Sequence, residues 1–159
     1  MPVPAPPQDA VVASIKANIV FEKMVASILA ATLLAAAVRF VIGVGGGAGS
    51  ALLGAVTFAL LFFFAAFGAS VAVGVPLYLQ LEKAKLRKAW PYTFAAVVVS
   101  MAILAAVGAA PSFEAPWRAL YFLPGVGAAL LFARKMRPFW AAAERADAAS
   151  AAGAVVRLH

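Results

Sequence analysis

The sequence predicts an all-α polytopic membrane protein, a four-transmembrane-helix bundle with its N- and C-termini on the cytoplasmic side. Only 12% of the 159 residues are charged, against roughly 25% in soluble domains, and the mean hydropathy is +0.99. The basic residues fall between long apolar segments. Four such segments, at about residues 24–44, 51–79, 90–110 and 117–133, have the roughly 17–25 residues or more that cross a bilayer core of about 30 Å.

The composition also excludes several classes of site. The chain has no cysteine, and its one histidine is the last residue, His159, so disulfides, thiolate metal sites and imidazole catalysis are not expected. We therefore predict no cofactor and no metal. The net charge of +7 would suggest nucleic acid in a soluble domain. Here we expect no nucleic-acid partner, because basic residues that flank membrane spans hold the orientation and meet anionic lipid headgroups.

The N-terminal region precedes the first span. Residues 1–8 contain four prolines and are predicted to be disordered, because proline lacks an amide donor and fixes φ. Asp9 can cap a following helix, and residues 9–23 are interpreted as either an interfacial helix or a plain helical extension. Arg39 should lie near the far face of span one, 24–44. We expect its side chain to snorkel to the headgroups, with a functional buried charge as the alternative.

A glycine-rich stretch joins the first two spans. Residues 43–50, GVGGGAGS, follow no predicted strand, so a turn between antiparallel spans is expected instead of a phosphate-binding loop. Span two, 51–79, has 29 residues, more than one crossing needs. Gly74 and Pro76 are predicted helix breaks near its end.

The second half of the domain, which covers residues 24–133, holds spans three and four. Pro124 is a predicted helix break, and small residues every fourth position predict close helix packing, at Gly125, Ala129 and Ala133. The tail, 134–159, is basic and then alanine-rich, and a helix is expected to begin near Pro138.

Basic residues orient the bundle. Two clusters are predicted to hold the topology and to contact lipid headgroups: Lys83, Lys85, Arg87 and Lys88 in the central loop, and Arg134, Lys135 and Arg137 after span four. In a four-span arrangement eleven of the thirteen Lys and Arg residues fall on the side of the N-terminus, the central loop and the tail, against Arg39 and Arg118 on the other. The excess of basic residues predicts that this side is cytoplasmic and that the protein lies in a bacterial inner membrane.

The function expected from these features is not enzymatic. The four spans contain no Asp, Glu, His or Lys, although chemistry or coupled transport inside a membrane usually requires such groups. Six hydroxyl side chains are expected to bond back to the helix carbonyl four residues earlier: Ser27, Thr32, Thr57, Ser70, Thr93 and Ser100. The sequence favours a scaffold, accessory subunit or assembly factor, with a membrane-protein partner or a homo-oligomer. The alternative is a small transporter or an oligomeric pore, suggested by the helix breaks, and a lipid-modifying enzyme is a third option.

Overall fold

Over the residues that the structure describes, the chain folds as five α-helices joined by short connections. The computed structural model describes residues 8–109 and 116–156, with side chains over 16–109 and 118–150, and this part of the chain contains no strand. The predicted all-helical fold is therefore confirmed. The helices are α1 (Gln8–Gly43), α2 (Ala48–Ala69), α3 (Val75–Lys83), α4 (Trp90–Ala106) and α5 (Leu123–Val156). A π-helix, Ser70–Gly74, joins α2 to α3, and 3-10 helices span Val44–Gly46 and Pro116–Phe122.

Consecutive helices combine into longer continuous helical segments, called rods below. Three of these rods are long and apolar enough to cross a membrane: Lys16–Gly46, Ala48–Lys83 and Arg118–Ser150. Their length and composition suggest a membrane protein. The remaining helix, α4, has 17 residues and is about 26 Å long. Its length lies at the lower limit of the roughly 17–25 residues that span a bilayer.

Helix α1 is longer than the first predicted span. It continues from Gln8 to Gly43 with no break at residue 24, because no glycine or proline lies inside it before its last residue. The predicted extension at 9–23 and span one therefore share one helix. The predicted disorder of residues 1–8 lies outside the described residues except for Gln8.

Helix α5 corrects the expected start of the C-terminal helix. The helix was predicted to begin near Pro138, but α5 begins at Leu123 and carries Pro138 in its interior. An internal proline removes one backbone hydrogen bond, and the good helix formers on either side of it tolerate that loss. Pro124 lies in the first turn of α5, where a missing N–H costs little. The change of helix type therefore falls just before Pro124, between the 3-10 helix and α5.

The predicted break near the end of span two takes the form of a π-helix. The Val75 N–H donates to the Ser70 carbonyl, five residues earlier, and Gly74 is the last residue of the widened segment. Pro76 follows at the second position of α3. A proline ring clashes with the carbonyl four residues before it in a regular α-helix. The wider turn accommodates this ring without ending the rod.

Helix α1 lies between two neighbours and is the centre of the packing. It packs along α2 on one side and α5 on the other, while α4 packs on α5. Its contact stripe is made of small residues four apart, Ser27, Ala31 and Ala35, each at most 3% exposed. A β-carbon built on Gly127 of α5 would lie 3.3 Å from that of Ala31. Small side chains at this spacing let helix backbones approach closely.

The outer surface is apolar, unlike that of a soluble bundle. Large hydrophobic side chains that are about half exposed or more cover the outside of α1 and α2, as expected for a surface that faces lipid. Six of them are Leu33, Leu34, Leu52, Leu53, Leu60 and Phe64.

The two connections at the far end of the bundle differ in how fully they are described. The glycine-rich stretch forms a tight turn between α1 and α2, in which Gly47 has φ +113°, a conformation that favours glycine. Arg39 is exposed one turn before the end of α1. Of the connection between spans three and four, residues 110–115, which include Glu114, lie outside the described residues.

Candidate functional site

A narrow cleft runs between the α2–α3 rod and α4. Over the described residues, α2 and α4 do not pack along each other, so the space between them remains. Helices α1 and α5 line its floor, and the cavity has a volume of about 160 Å³. Pockets for drug-sized ligands typically measure roughly 300–1,000 Å³. The cleft is therefore sized for a slender occupant.

The walls of the cleft are apolar. Small side chains from α2 and α4 keep it open, and larger rings from α2, α3 and α5 close its ends. Its lining includes Ala65, Ala66, Ala95, Ala96, Phe62 and Phe132. No Asp, Glu, His, Lys or Arg side chain is among the lining residues over the described part of the chain. An apolar lining of this kind suits a hydrocarbon occupant.

Hydroxyl groups interrupt the apolar lining. The predicted back-bonding occurs at Ser27, which donates to the Lys23 carbonyl at 2.6 Å, and at Thr93. The Thr32 hydroxyl is buried without a partner in the described part of the chain. Ser70 and Ser100 both line the cleft, and neither hydroxyl takes part in a hydrogen bond among the described residues, contrary to the expected back-bonding.

Two tyrosines mark one end of the cleft. Tyr78 and Tyr92 line it and are each only 8% exposed. The Tyr92 ring stacks on Trp140 with centroids 5.7 Å apart. Phe132 meets both tyrosine rings edge-on, at 6.4 Å and 5.6 Å. Aromatic packing therefore fixes both rings, while neither hydroxyl has a hydrogen-bond partner in the region the structure describes.

The predicted packing residues lie where α5 meets its neighbours. A β-carbon on Gly125 would come within 2.5 Å of the Ser100 hydroxyl oxygen, so the glycine permits the contact with α4. Ala133 is 1% exposed, and Ala129 packs against the same core. The prediction missed Gly127 and the stripe on α1. That stripe is one of several sets of small residues four apart in the alanine-rich sequence of α1.

Two of the predicted helix breaks line the cleft, at Gly74 and Pro124. Pro76 is exposed and is not part of the lining.

A network of ion pairs joins four parts of the chain at the tyrosine end. Glu82 at the end of α3 accepts from Lys16 of α1 at 2.6 Å and lies 3.5 Å from Arg87 of the loop. Arg87 also donates to Asp147 of α5 at 2.8 Å, and Lys85 lies 3.5 Å from Asp147. The N-terminal helix, the central loop and the C-terminal helix therefore meet at one end of the bundle.

Arg87 is the centre of this network. Its side chain is only 8% exposed, and its Nε atom is buried without a hydrogen-bond partner in the described part of the chain. The hydrogen bond with Asp147 raises the pKa of Arg87, and this effect outweighs the opposing effect of burial. The guanidinium is therefore charged, and it depends on the two carboxylates for compensation.

The basic residues assigned to lipid headgroups consequently divide into two groups. Lys85 and Arg87 form ion pairs within the chain. The other loop residues, Lys83 and Lys88, are exposed and form no ion pair with the described residues. Of the second cluster, Arg134 and Arg137 are exposed and Lys135 is half-buried. The pairing of Lys85 and Arg87 was missed because the partner, Asp147, lies about sixty residues away in sequence.

The arrangement of carboxylates offers little for metal or acid–base chemistry. Within the described ranges, no group of three or more His, Cys, Asp or Glu side chains could hold a metal ion. Glu82 and Asp147 both bond to Arg87, which occupies them as structural partners. No protein-family model, curated protein or solved structure matches this chain.

Replacing Asp147 tests the network. We expect Asp147→Asn to lower the melting temperature in detergent by on the order of 2–4 °C, because Arg87 then keeps only the more distant Glu82 carboxylate. Trypsin should also cut the loop faster after Lys85 or Arg87. Glu144→Gln is the matched control, since Glu144 is exposed one turn earlier and forms no ion pair with the described residues. Equal behaviour of the two variants would contradict the assigned role of Asp147.

Proposed function

We propose that this chain is a non-catalytic integral membrane protein that acts as a scaffold, accessory subunit or assembly factor. The observation that carries the proposal is the apolar character of both the cleft and the outer helix surfaces, whose lining and exposed residues offer binding area without acid–base groups. Chemistry inside a membrane usually depends on ionisable residues kept there despite their cost. In the part of the chain that the structure describes, the carboxylates at the tyrosine end of the cleft are Glu82 and Asp147, and they are engaged with Lys16 and Arg87.

The proposal includes four membrane spans, with α4 as the short third crossing. A helix of 17 residues can cross a bilayer that thins locally or whose headgroups meet flanking basic residues. Ion pairs gather the N-terminal helix, the central loop and the C-terminal helix at one end, which supports an even number of crossings. The excess of basic residues in these segments favours the cytoplasmic side of a bacterial inner membrane.

Single-cysteine labelling tests this topology, because the natural chain has no cysteine. We expect Lys88→Cys and Ser150→Cys to resist a membrane-impermeant maleimide in intact cells and to react after lysis. Ser50→Cys, in the turn region at the other end, should react in intact cells. The opposite pattern would reverse the orientation, and labelling of Lys88→Cys and Ser150→Cys from different sides would refute four spans.

The outer face of α2 is the surface proposed to contact a partner. Leu53, Leu60 and Phe64 are 57–70% exposed and lie along one rod away from α1. Such a surface can bind a membrane helix of another protein or of a second copy, and otherwise it faces the acyl chains of the bilayer. A partner helix would pack closely against Leu53, Leu60 and Phe64.

Cross-linking from this face tests the scaffold proposal. We expect Leu60→Cys, labelled with a benzophenone maleimide in native membranes, to give one protein adduct at reproducible stoichiometry. Phe94→Cys on α4, at a position 65% exposed against 57% for Leu60, is the control for random collisions. Adducts that are equally diverse at the two positions, together with recovery of the protein alone in mild detergent, would contradict the proposal.

Transport of a small solute is the second candidate function. It is favoured by one arrangement: the two helix breaks at Gly74 and Pro124 line the same cleft as the unpaired hydroxyls of Ser70 and Ser100. Broken helices often line substrate sites in transporters. Flux into proteoliposomes separates the two candidates, since transport requires uptake above that of empty vesicles for some solute in a broad panel, and a scaffold requires none.

A further inference from the structure

We propose that the cleft binds one anionic phospholipid, taken from the leaflet on the side of the α3–α4 loop. An acyl chain would occupy the apolar cleft, its ester region would meet the hydroxyls of Tyr78 and Tyr92, and its phosphate would meet Lys83 and Lys88. This inference does not depend on the scaffold role, since either candidate function is compatible with a bound lipid.

Unpartnered hydroxyls give the first argument. Tyr78 and Tyr92 line the cleft with buried rings, and neither hydroxyl forms a hydrogen bond within the described residues. Neither hydroxyl oxygen is among the fully buried oxygens that lack a partner, so both reach the surface of the cleft. A ligand that covers them must supply an acceptor, because a hydroxyl that loses water without gaining a partner is costly. Ester and phosphate oxygens of a phospholipid are acceptors that satisfy two such donors. A purely hydrocarbon occupant would leave both of them unpaired.

Charge gives the second argument. Lys83 ends α3 and Lys88 lies two residues before α4, so both lie at the connection between the two helices that carry Tyr78 and Tyr92. Glu82 and Asp147 are already bonded to other basic residues. The two lysines are therefore left as exposed positive charges with no ion pair in the described part of the chain, and they attract an anionic headgroup.

The depth of the lysines and tyrosines in the bilayer gives the third argument. Lys83 follows Tyr78 by five residues along α3, which is about 7.5 Å of helix. The headgroup region on each side of a bilayer is about 5–8 Å thick. Trp90 is 64% exposed beside the loop, as expected of a ring at headgroup level. The order of lysine, tyrosine hydroxyl and apolar cleft thus matches that of phosphate, ester and acyl chain.

The size of the cleft separates this occupant from a partner helix. A transmembrane helix with its side chains is about 10–12 Å across, and each of its residues fills roughly 120 Å³ at that width. The cleft volume is about 160 Å³. A single hydrocarbon chain is much narrower than a helix, so a cleft of this volume takes part of one chain, and the rest of the chain lies along the apolar outer surface.

The headgroup contact is tested by native mass spectrometry of the full chain in detergent. The probes are phosphatidylglycerol and phosphatidylcholine with identical acyl chains. We expect phosphatidylglycerol to bind about 25-fold more tightly, at about fivefold for each lysine. Lys83→Gln with Lys88→Gln should abolish this preference, while Arg134→Gln with Arg137→Gln should retain it. No preference in the natural chain, or equal losses in both double variants, would overturn the assigned headgroup contact.

The cleft itself is tested by filling it. Ala96 lines the cleft, whereas Ala102 is exposed on α4 and is not part of the lining. We expect Ala96→Trp to weaken the binding of both lipids by about tenfold or more, and Ala102→Trp to leave their binding unchanged. Equal affinities in the two variants would place the lipid elsewhere. An unchanged melting temperature confirms that each variant is folded.

The proposed hydroxyl contacts are tested with a variant that keeps both aromatic rings and removes only the hydroxyl groups. Tyr78→Phe with Tyr92→Phe should weaken the binding of both lipids by about fivefold for each hydrogen bond lost. Unchanged binding would remove these contacts from the proposal. Val73 lines the cleft and is 40% exposed, so a probe attached there lies at the rim and does not fill the cleft. Val73→Cys, labelled with a benzophenone maleimide in native membranes, identifies the natural occupant by mass. A phospholipid adduct is expected, and a protein adduct would overturn the proposal in favour of a partner helix.

Discussion

The close approach of α1 to both of its neighbours is the constraint on which the rest of the structure depends. Lipid tails are as apolar as leucine, so burial of large side chains does not hold membrane helices together, and tight packing of small residues must do so. Ser27, Ala31 and Ala35 provide that packing on α1. Gly127 lets α5 approach to within van der Waals contact of Ala31. Large apolar side chains are consequently left on the outside, towards lipid.

This central position of α1 explains the cleft. Because α2 and α5 both pack on α1, and α4 packs on α5, the described parts of α2 and α4 do not pack along each other. At the tyrosine end, ion pairs of Arg87 with Glu82 and Asp147 hold the loop between α3 and α4. The bundle thus combines an apolar space between its helices with a network of charges at one end. Both features bear on what the protein binds.

Sequence reasoning recovered the helical fold and three of the membrane-length segments, because hydropathy and length are local properties. It did not find the ion pair between Arg87 and Asp147, since the two residues are sixty positions apart and many pairings were possible. It predicted that Ser70 and Ser100 bond back to their own helix. Both line the cleft instead, and that location depends on how α2 and α4 are placed, which is not a local property of the sequence. The stripe at Ala31 was obscured because α1 is so rich in alanine that several stripes of small residues compete.

Disulfide formation between Ala31→Cys and Gly127→Cys, in native membranes, tests the central packing of α1 most directly. The two β-carbons would lie 3.3 Å apart, close to the roughly 3.5–4.5 Å that a disulfide requires. The chain has no other cysteine, so any intramolecular cross-link reports this pair alone. The account predicts rapid and nearly complete oxidation, and none for Ala31→Cys with Gly68→Cys, because a β-carbon on Gly68 has no neighbour within 4 Å among the described residues. Equal cross-linking of the two pairs, or none in either, would contradict it.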